Sequence, residues 1–343
     1  MKRSRGRFDL GWILVLLLSV FALAPLTYPG FFEAHTGFLP PFNVEHLSEA
    51  PNWGRVSGPL RGEAKLPYLL VWPVLALTGS GVAAIKWGYG LALLLGALGT
   101  YAWTRRRFGR RGALLASVVY TYLPWHLSAV YVRGAYAEAW LWALWPCILW
   151  AIDCLAERRF LPGLLVGLAV SAAALWTQPG MFLLSLPLLA AYAAASTVGG
   201  RRNRVAASFV VALGLPLVLL WAVARSMPAS GIPDLRQFLY PYQLLSATWG
   251  TQASQPISFQ LGLAAVGLTI VAAALLVRDW AITGRRLRST MVLWLIALLV
   301  TLFLTLPASA FLWHLTGFDA FLAQPWQLLA LAGLPLALLS GSV

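Results

Sequence analysis

The 343-residue sequence predicts an all-α, polytopic integral membrane helix bundle of about ten spans, and three observations carry that prediction. Hydrophobic residues make up 60% of the chain and charged residues only 10%, against roughly 45–50% and about 25% in soluble domains. The apolar residues fall in runs that approach the 20 or so residues a hydrocarbon core demands. The basic residues behind the net charge of +14 gather in alternate loops, as an orientation set by positive charge on the inner side requires. A water-soluble globule is excluded, as are collagen-like, disordered and disulfide-stapled chains. Cys147 and Cys154 read as small core residues. On a soluble protein +14 would suggest nucleic acid; here it labels topology, and no nucleic-acid partner is expected.

The elements follow in order. The basic start MKRSRGR precedes the first run, 10–28, read as an uncleaved anchor. Ala22-Leu23-Ala24 also resembles a signal-peptide cleavage site; either version puts the next loop outside. Further spans are read at 84–103, 112–129, 138–156, 161–178, 181–198, 205–224, 258–277, 290–312 and 323–341. The stretch 66–80 is short, carries Pro67 and Pro73, and closes on Thr78-Gly79-Ser80-Gly81. Charge decides its status. If it does not span, eighteen of the 25 Lys and Arg residues lie on the N-terminal, cytoplasmic side; if it spans, the bias nearly vanishes. It is therefore an interfacial or re-entrant segment. The chain reads as a single transmembrane domain over 1–343, with a long first outer loop (about 29–83) and a third outer loop at 225–257. The last run meets Val343 without a polar flank, so a continuation of the chain is expected.

Chemistry, where present, belongs to the outer face. The first outer loop is far longer than the usual connection and holds Glu33, His35, Glu45, His46, Glu49, Arg61, Glu63 and Lys65. All four histidines, His126 among them, fall outside or at outer helix ends, and seven of the 11 carboxylates lie outside. In the second outer loop, HLSAVYVRGAYAEAW, Arg133 and Glu138 are five apart and Glu138 opens an apolar helix. A carboxylate there is favoured by the helix dipole. An ionisable group at the head of a span is also a functional candidate. The third outer loop, rich in Pro, Ser and aromatic residues, suits either a lid or an interfacial anchor on Tyr240, Tyr242 and Trp249. The inner loops carry no nucleotide-binding or zinc-protease motif.

One stretch carries a resemblance: GEAKLPYLLVWPVLALTG, the span ending YAWTRRRFGRR, and YLPWHL followed by YVRGAYAE. It resembles the GT-C superfamily of membrane glycosyltransferases. In particular it resembles the bacterial group labelled "membrane protein 6-pyruvoyl-tetrahydropterin synthase-related", a label that need not imply pterin chemistry. The likeness covers residues 10–156 well and the rest by topology. It implies a plasma-membrane enzyme moving a sugar from a polyprenyl-phosphate donor to an extracytoplasmic glycan, lipid or protein acceptor. Residues matching the superfamily's acidic positions are Glu33, followed by His35, and Glu138 beside Arg133. The superfamily's usual acidic pair is replaced by Glu33-Ala34-His35-Thr36. Three options follow: Glu33 works alone, Glu45-His46 substitutes for it, or transferase activity has been lost. Under the resemblance Glu33, His35 or Glu45 is the catalytic group. Arg61, Lys65, His126 and Arg133 with Glu138 bind substrate, and a divalent ion bridged by Glu33 and Glu138 stays open.

Two other classes compete. A secondary transporter or lipid flippase calls for ionisable residues near the midplane and for interrupted repeats, and the spans offer few. A non-catalytic subunit of the same fold calls only for the architecture.

Overall fold

Caps and prolines set the helix boundaries. The computed structural model describes residues 9–29, 37–48, 63–157, 159–196, 238–246, 257–316, 322 and 324–343. Helix α1, Leu10–Leu23, starts where the Asp9 carboxylate accepts the Gly11 N–H at 3.0 Å, satisfying a donor the helix itself leaves open. Short α2 (Leu39–Glu45) and α3 (Leu66–Thr78) each begin on a proline, whose fixed φ suits a first helical turn. At about 20 Å, the thirteen residues of α3 are shorter than a hydrocarbon core is thick.

Helix α4, Gly81–Tyr122, is capped by the Ser80 hydroxyl and broken at Gly109, whose φ of 67° and ψ of −165° suit glycine alone. In a straight helix, residues 20 apart lie about 30 Å from each other. Ser117 nevertheless donates to the Ala97 carbonyl at 2.8 Å. The run is a hairpin of two arms, 81–108 and 110–122, and the RRRFGRR turn is its bend. These arms are the expected spans 84–103 and 112–129. The second arm continues into α5 (Pro124–Ser128) and a wide π turn, Ala129–Arg133. Then come α6 (Tyr136–Ala156), α7 (Phe160–Leu175), α8 (Pro179–Ser196), α9 (Leu263–Arg278), α10 (Arg285–Leu304), α11 (Ala310–Thr316) and α12 (Leu329–Gly341).

Among the described residues five helices are long and apolar enough to cross a membrane: Leu10–Thr27, Gly81–Arg133 (the folded-back hairpin), Tyr136–Ala156, Pro179–Ser196 and Leu287–Leu304. Shorter apolar helices fill the expected positions at 161–178, 258–277 and 323–341. The expected span 205–224 lies outside the described residues, as does most of the loop 225–257. Large apolar side chains such as Phe21, Leu165, Ile270, Val277 and Leu299 are exposed on the outer helices, where lipid rather than water is their natural neighbour.

Contacts along the helices define two ends. The first arm of α4 runs parallel to α6, because Gly88 faces Tyr136, Gly96 faces Ala143 and Gly99 faces Cys147. A side chain on Gly88 would come within 2.0 Å of the Tyr136 hydroxyl, so these small residues permit the close approach that packs helices in a bilayer. At one end Arg107 donates to Asp153 at 2.6 Å, to Thr290 at 3.1 Å and to Ser196 at 3.1 Å. Tyr192 also donates to Asp153 at 2.9 Å and itself accepts from Trp103 at 2.7 Å. This buried cluster ties α4, α6, α8 and α10 at what may be called the arginine end. Asp9 joins it through Arg105 at 2.9 Å and Tyr101 at 2.8 Å. Burial opposes the charge on Asp9, but the Gly11 N–H, Tyr101, Arg105 and Arg110 together hold its carboxyl below the usual range. Glu138, fifteen residues earlier on α6 than Asp153, marks the opposite end, about 22 Å away along the axis.

Candidate functional site

The Glu138 end is built around a charge pair that the chain has to bend to make. The π turn Ala129–Arg133 closes on Gly134, which is left-handed at φ 70°. The Ala135 N–H reaches back to the Ala129 carbonyl at 2.9 Å. That reversal returns Arg133 over the first turn of α6. Its guanidinium meets Glu138 as a two-pronged fork, Nη1 to Oε1 at 3.2 Å and Nη2 to Oε2 at 2.8 Å. Both side chains are buried, at 8% and 2% exposure. The fork lies between two indoles, with Cζ 4.9 Å from the Trp125 ring centre and 4.5 Å from that of Trp326. Phe259 stacks against Trp125 and leans on Trp326. Flat cations favour such aromatic faces, and the planar fork fixes the carboxylate's orientation. Wide π turns are frequent at functional positions.

A second carboxylate completes the end. Glu63 precedes α3 in a short extended segment, where the Ala64 and Leu66 N–H groups pair with the Thr177 and Trp176 carbonyls at 2.9 and 3.2 Å. The Tyr68 hydroxyl donates to Glu63 Oε2 and itself accepts from Asn43 Nδ2 at 3.0 Å. The Ala137 N–H, in the first turn of α6, also donates to Glu63. Tyr136 rings pack 5.1 Å from both Tyr68 and Tyr89, and the Tyr136 hydroxyl donates to the Pro67 carbonyl at 3.0 Å. Thus α2, α3 and α6 meet at one hydrogen-bonded knot, against which the Tyr89 ring of α4 packs. Burial drives the Glu63 carboxyl up to about 7, with Glu138 adding to the rise and Tyr68 and the Ala137 N–H opposing it.

The sequence candidates distribute unevenly. Arg133 and Glu138 come together as their spacing suggested. Glu45 is exposed and accepts the Gly81 N–H at 3.2 Å, capping α4 beside Ser80. Lys65 is partly buried at the start of α3, two residues from Glu63. His126 is buried in an aromatic setting, stacked on Trp142 at 4.0 Å and edge-on to Tyr120 at 4.5 Å. Gly333 leaves room for its Nε2, which has no partner among the described residues. Glu33, His35 and Arg61 lie outside the described residues, and so does half of the Glu33–Glu138 metal bridge. Among the described residues no three His, Cys, Asp or Glu side chains gather as a metal site.

Sequence reasoning counted Glu63 and Asn43 among the polar residues of the first outer loop and noted the Pro67-Tyr68 pair, but selected none of them as site residues, and it gave no site role to Trp125 or Trp326. The available signal was local: Glu63 stands five residues before Tyr68, on either side of Pro67 at the start of α3. Its contact with Ala137, 74 positions on, has no sequence signature.

Comparison with known proteins supplies one match. The profile of a family described as "6-pyruvoyl-tetrahydropterin synthase related domain; membrane protein" covers residues 64–332. No curated protein matches the chain. The family segment spans Arg133, Glu138, Lys65 and His126.

Proposed function

From the premise that the chain belongs to the 6-pyruvoyl-tetrahydropterin synthase related family of membrane proteins, we propose that it is an integral membrane glycosyltransferase-like enzyme. It transfers a sugar from a polyprenyl-phosphate donor to an acceptor hydroxyl at the Glu138 end. That end is extracytoplasmic in this reading, and the arginine end is cytoplasmic in a bacterial plasma membrane.

The observation that carries the reading is the buried Arg133–Glu138 fork, held between two tryptophans at the head of a spanning helix. A charge pair in such a place costs more desolvation than it returns unless it is well satisfied, and ionisable groups at membrane depth mark sites of function by default. The surroundings suit the proposed substrate. Aromatic faces favour sugar rings. A cationic group such as Lys65, two residues from Glu63, suits a leaving phosphate, where charge develops in the transition state. The amphipathic setting lets a lipid tail remain in the bilayer while the sugar meets the site. In the transfer the acceptor oxygen bonds to the anomeric carbon, and the bond from that carbon to the phosphate oxygen breaks. The electron pair leaves with the lipid phosphate, and the acceptor proton passes to a base on the protein.

Reconstitution tests this against transport. Full-length protein in proteoliposomes receives undecaprenyl phosphate linked to radiolabelled glucose, mannose or galactose, with water and short-chain alcohols as acceptors. The proposal expects labelled product with at least one donor, lost in Glu138→Gln at equal protein content. Uptake or flipping of the donor without any product overturns it.

A further inference from the structure

The transfer reading leaves the base to be named, and the Glu138 end holds two carboxylates in unequal situations. Glu138 gives both oxygens to the Arg133 fork, so it is held as a charged partner. Glu63 faces neutral hydrogen-bond donors: the Tyr68 hydroxyl and the Ala137 N–H. An ionised carboxylate offers about four acceptor positions, so two donors leave it room for an acceptor hydroxyl. Glu63 is also partly exposed, whereas Glu138 is sealed. The groups that face Glu63 are Tyr68 of α3, Tyr89 of α4, and Tyr136 and Glu138 of α6, with Asn43 of α2 behind Tyr68. Glu138, the charged neighbour that bears on the Glu63 carboxyl, disfavours a second negative charge beside it. That is the condition under which a carboxylate gains by taking a proton.

Two further atoms point to a polar ligand. The bonds from the Ala64 and Leu66 N–H groups to the Thr177 and Trp176 carbonyls bring the turn before Gln178 against the segment that carries Glu63. The buried Gln178 Oε1 has no donor among the described residues. Across the Arg133 fork, Trp125 is 2% exposed and its Nε1–H has no acceptor among the described residues. Buried polar atoms are rarely left unmatched, so an unmatched acceptor and donor at the end that holds both carboxylates fit a hydroxyl-rich guest.

We propose that Glu63 is the residue that takes the acceptor's proton in the transfer reaction, with Tyr68, steadied by Asn43, as the positioning residue that orients its carboxyl. This rests on the transferase reading above. As the acceptor oxygen attacks the anomeric carbon, its proton moves to Glu63, and the protonated carboxyl later returns it to solvent. Burial supports this assignment by raising Glu63 to about 7, near the value at which a base works best at neutral pH.

The test uses the full chain in nanodiscs and has two arms. Infrared difference spectra between pH 5 and 9 follow the protonated carboxyl stretch. A band titrating near neutral pH is expected in the wild type and in the distant Asp279→Asn variant; it is absent in Glu63→Gln and displaced in Tyr68→Phe. Its persistence in Glu63→Gln overturns the assignment. The second arm measures release of labelled sugar from the three undecaprenyl-phosphate hexoses. Glu63→Gln is expected to slow release by about 10²–10⁴-fold at nearly unchanged KM. The same variant flattens the pH–rate profile through neutrality, and Glu63→Asp restores part of the rate. Tyr68→Phe shifts the pH–rate midpoint. If Glu63→Gln equals the wild type while Glu138→Gln loses release, the base is elsewhere and the transferase reading survives. If the wild type releases sugar from none of the donors, the reading falls and the base role with it, even if the infrared band is present.

Discussion

Replacing Glu138 by Gln takes from Arg133 its buried carboxylate partner. The guanidinium keeps its charge at any accessible pH and remains 8% exposed between Trp125 and Trp326. The two hydrogen bonds to a carboxylate, at 2.8 and 3.2 Å, give way to contact with a neutral amide, of which only the carbonyl oxygen accepts. Charge-assisted bonds contribute about 1.5–3 kcal/mol each, and removing one partner of a buried pair costs about 3–5 kcal/mol. We expect Glu138→Gln to lose about 3–5 kcal/mol at every pH between 5 and 8. Arg133→Met leaves the Glu138 carboxyl buried without its guanidinium and is also expected to destabilise the protein. The double variant removes both charges and recovers to within about 2 kcal/mol of wild type, because a buried pair contributes little net stability over an apolar replacement. Unfolding in mixed micelles, followed by tryptophan fluorescence, measures all four proteins as a double-mutant cycle. A cost below about 1 kcal/mol for Glu138→Gln, or additivity of the two single variants, would refute the reasoning.

Other outcomes follow from the same structure. The folded protein keeps the Glu63 proton up to about 7, whereas an unfolded chain releases it near 4.5. The native state therefore binds more protons in that window, and stability falls as pH rises through it, by about 1.4 kcal/mol per unit, then levels off; Glu63→Gln should abolish that slope in thermal melts. Gly109→Val forces a branched side chain into a glycine-only conformation and costs about 1–3 kcal/mol or more, seen as reduced folded yield by size-exclusion chromatography. Asp153→Asn leaves Arg107 without its carboxylate at the arginine end and should loosen α8 and α10 together, raising hydrogen exchange around Ser196 and Thr290. Cysteines placed at Lys65 and Arg111 should react with impermeant maleimide from opposite sides of the membrane, Lys65→Cys from outside; labelling of both from one side contradicts the orientation.

Much of the architecture was legible because a bilayer constrains it by length and polarity. The bend at Gly109 could be read from RRRFGRR, since five arginines cannot lie mid-membrane and a glycine supplies the turn. The short helix Leu66–Thr78 could be read from its prolines and charge flanks. The Arg133–Glu138 pair was suggested by spacing, although the contact depends on Gly134 turning the chain back, which spacing alone does not state. Legibility failed where a side chain's partner lies far along the chain. Glu45 was read as a candidate catalytic carboxylate, and its bond to the Gly81 N–H, 36 residues on, could not be read from its neighbours in sequence. His126 looked like an outer ligand, but its burial among Trp142, Tyr120 and Gly333 required the packing of three separate segments. Glu63 was overlooked for the converse reason: nothing near it in sequence announces the α6 N-terminus it meets.

The central claim, that the Glu138 end acts on a lipid-phosphate-linked sugar, is tested most directly by single-turnover sugar release in nanodiscs from undecaprenyl-phosphate hexoses. The account predicts release by the wild type and by Asp279→Asn, and release at least about 100-fold slower in both Glu63→Gln and Glu138→Gln. Release at the wild-type rate in both of those variants would contradict it.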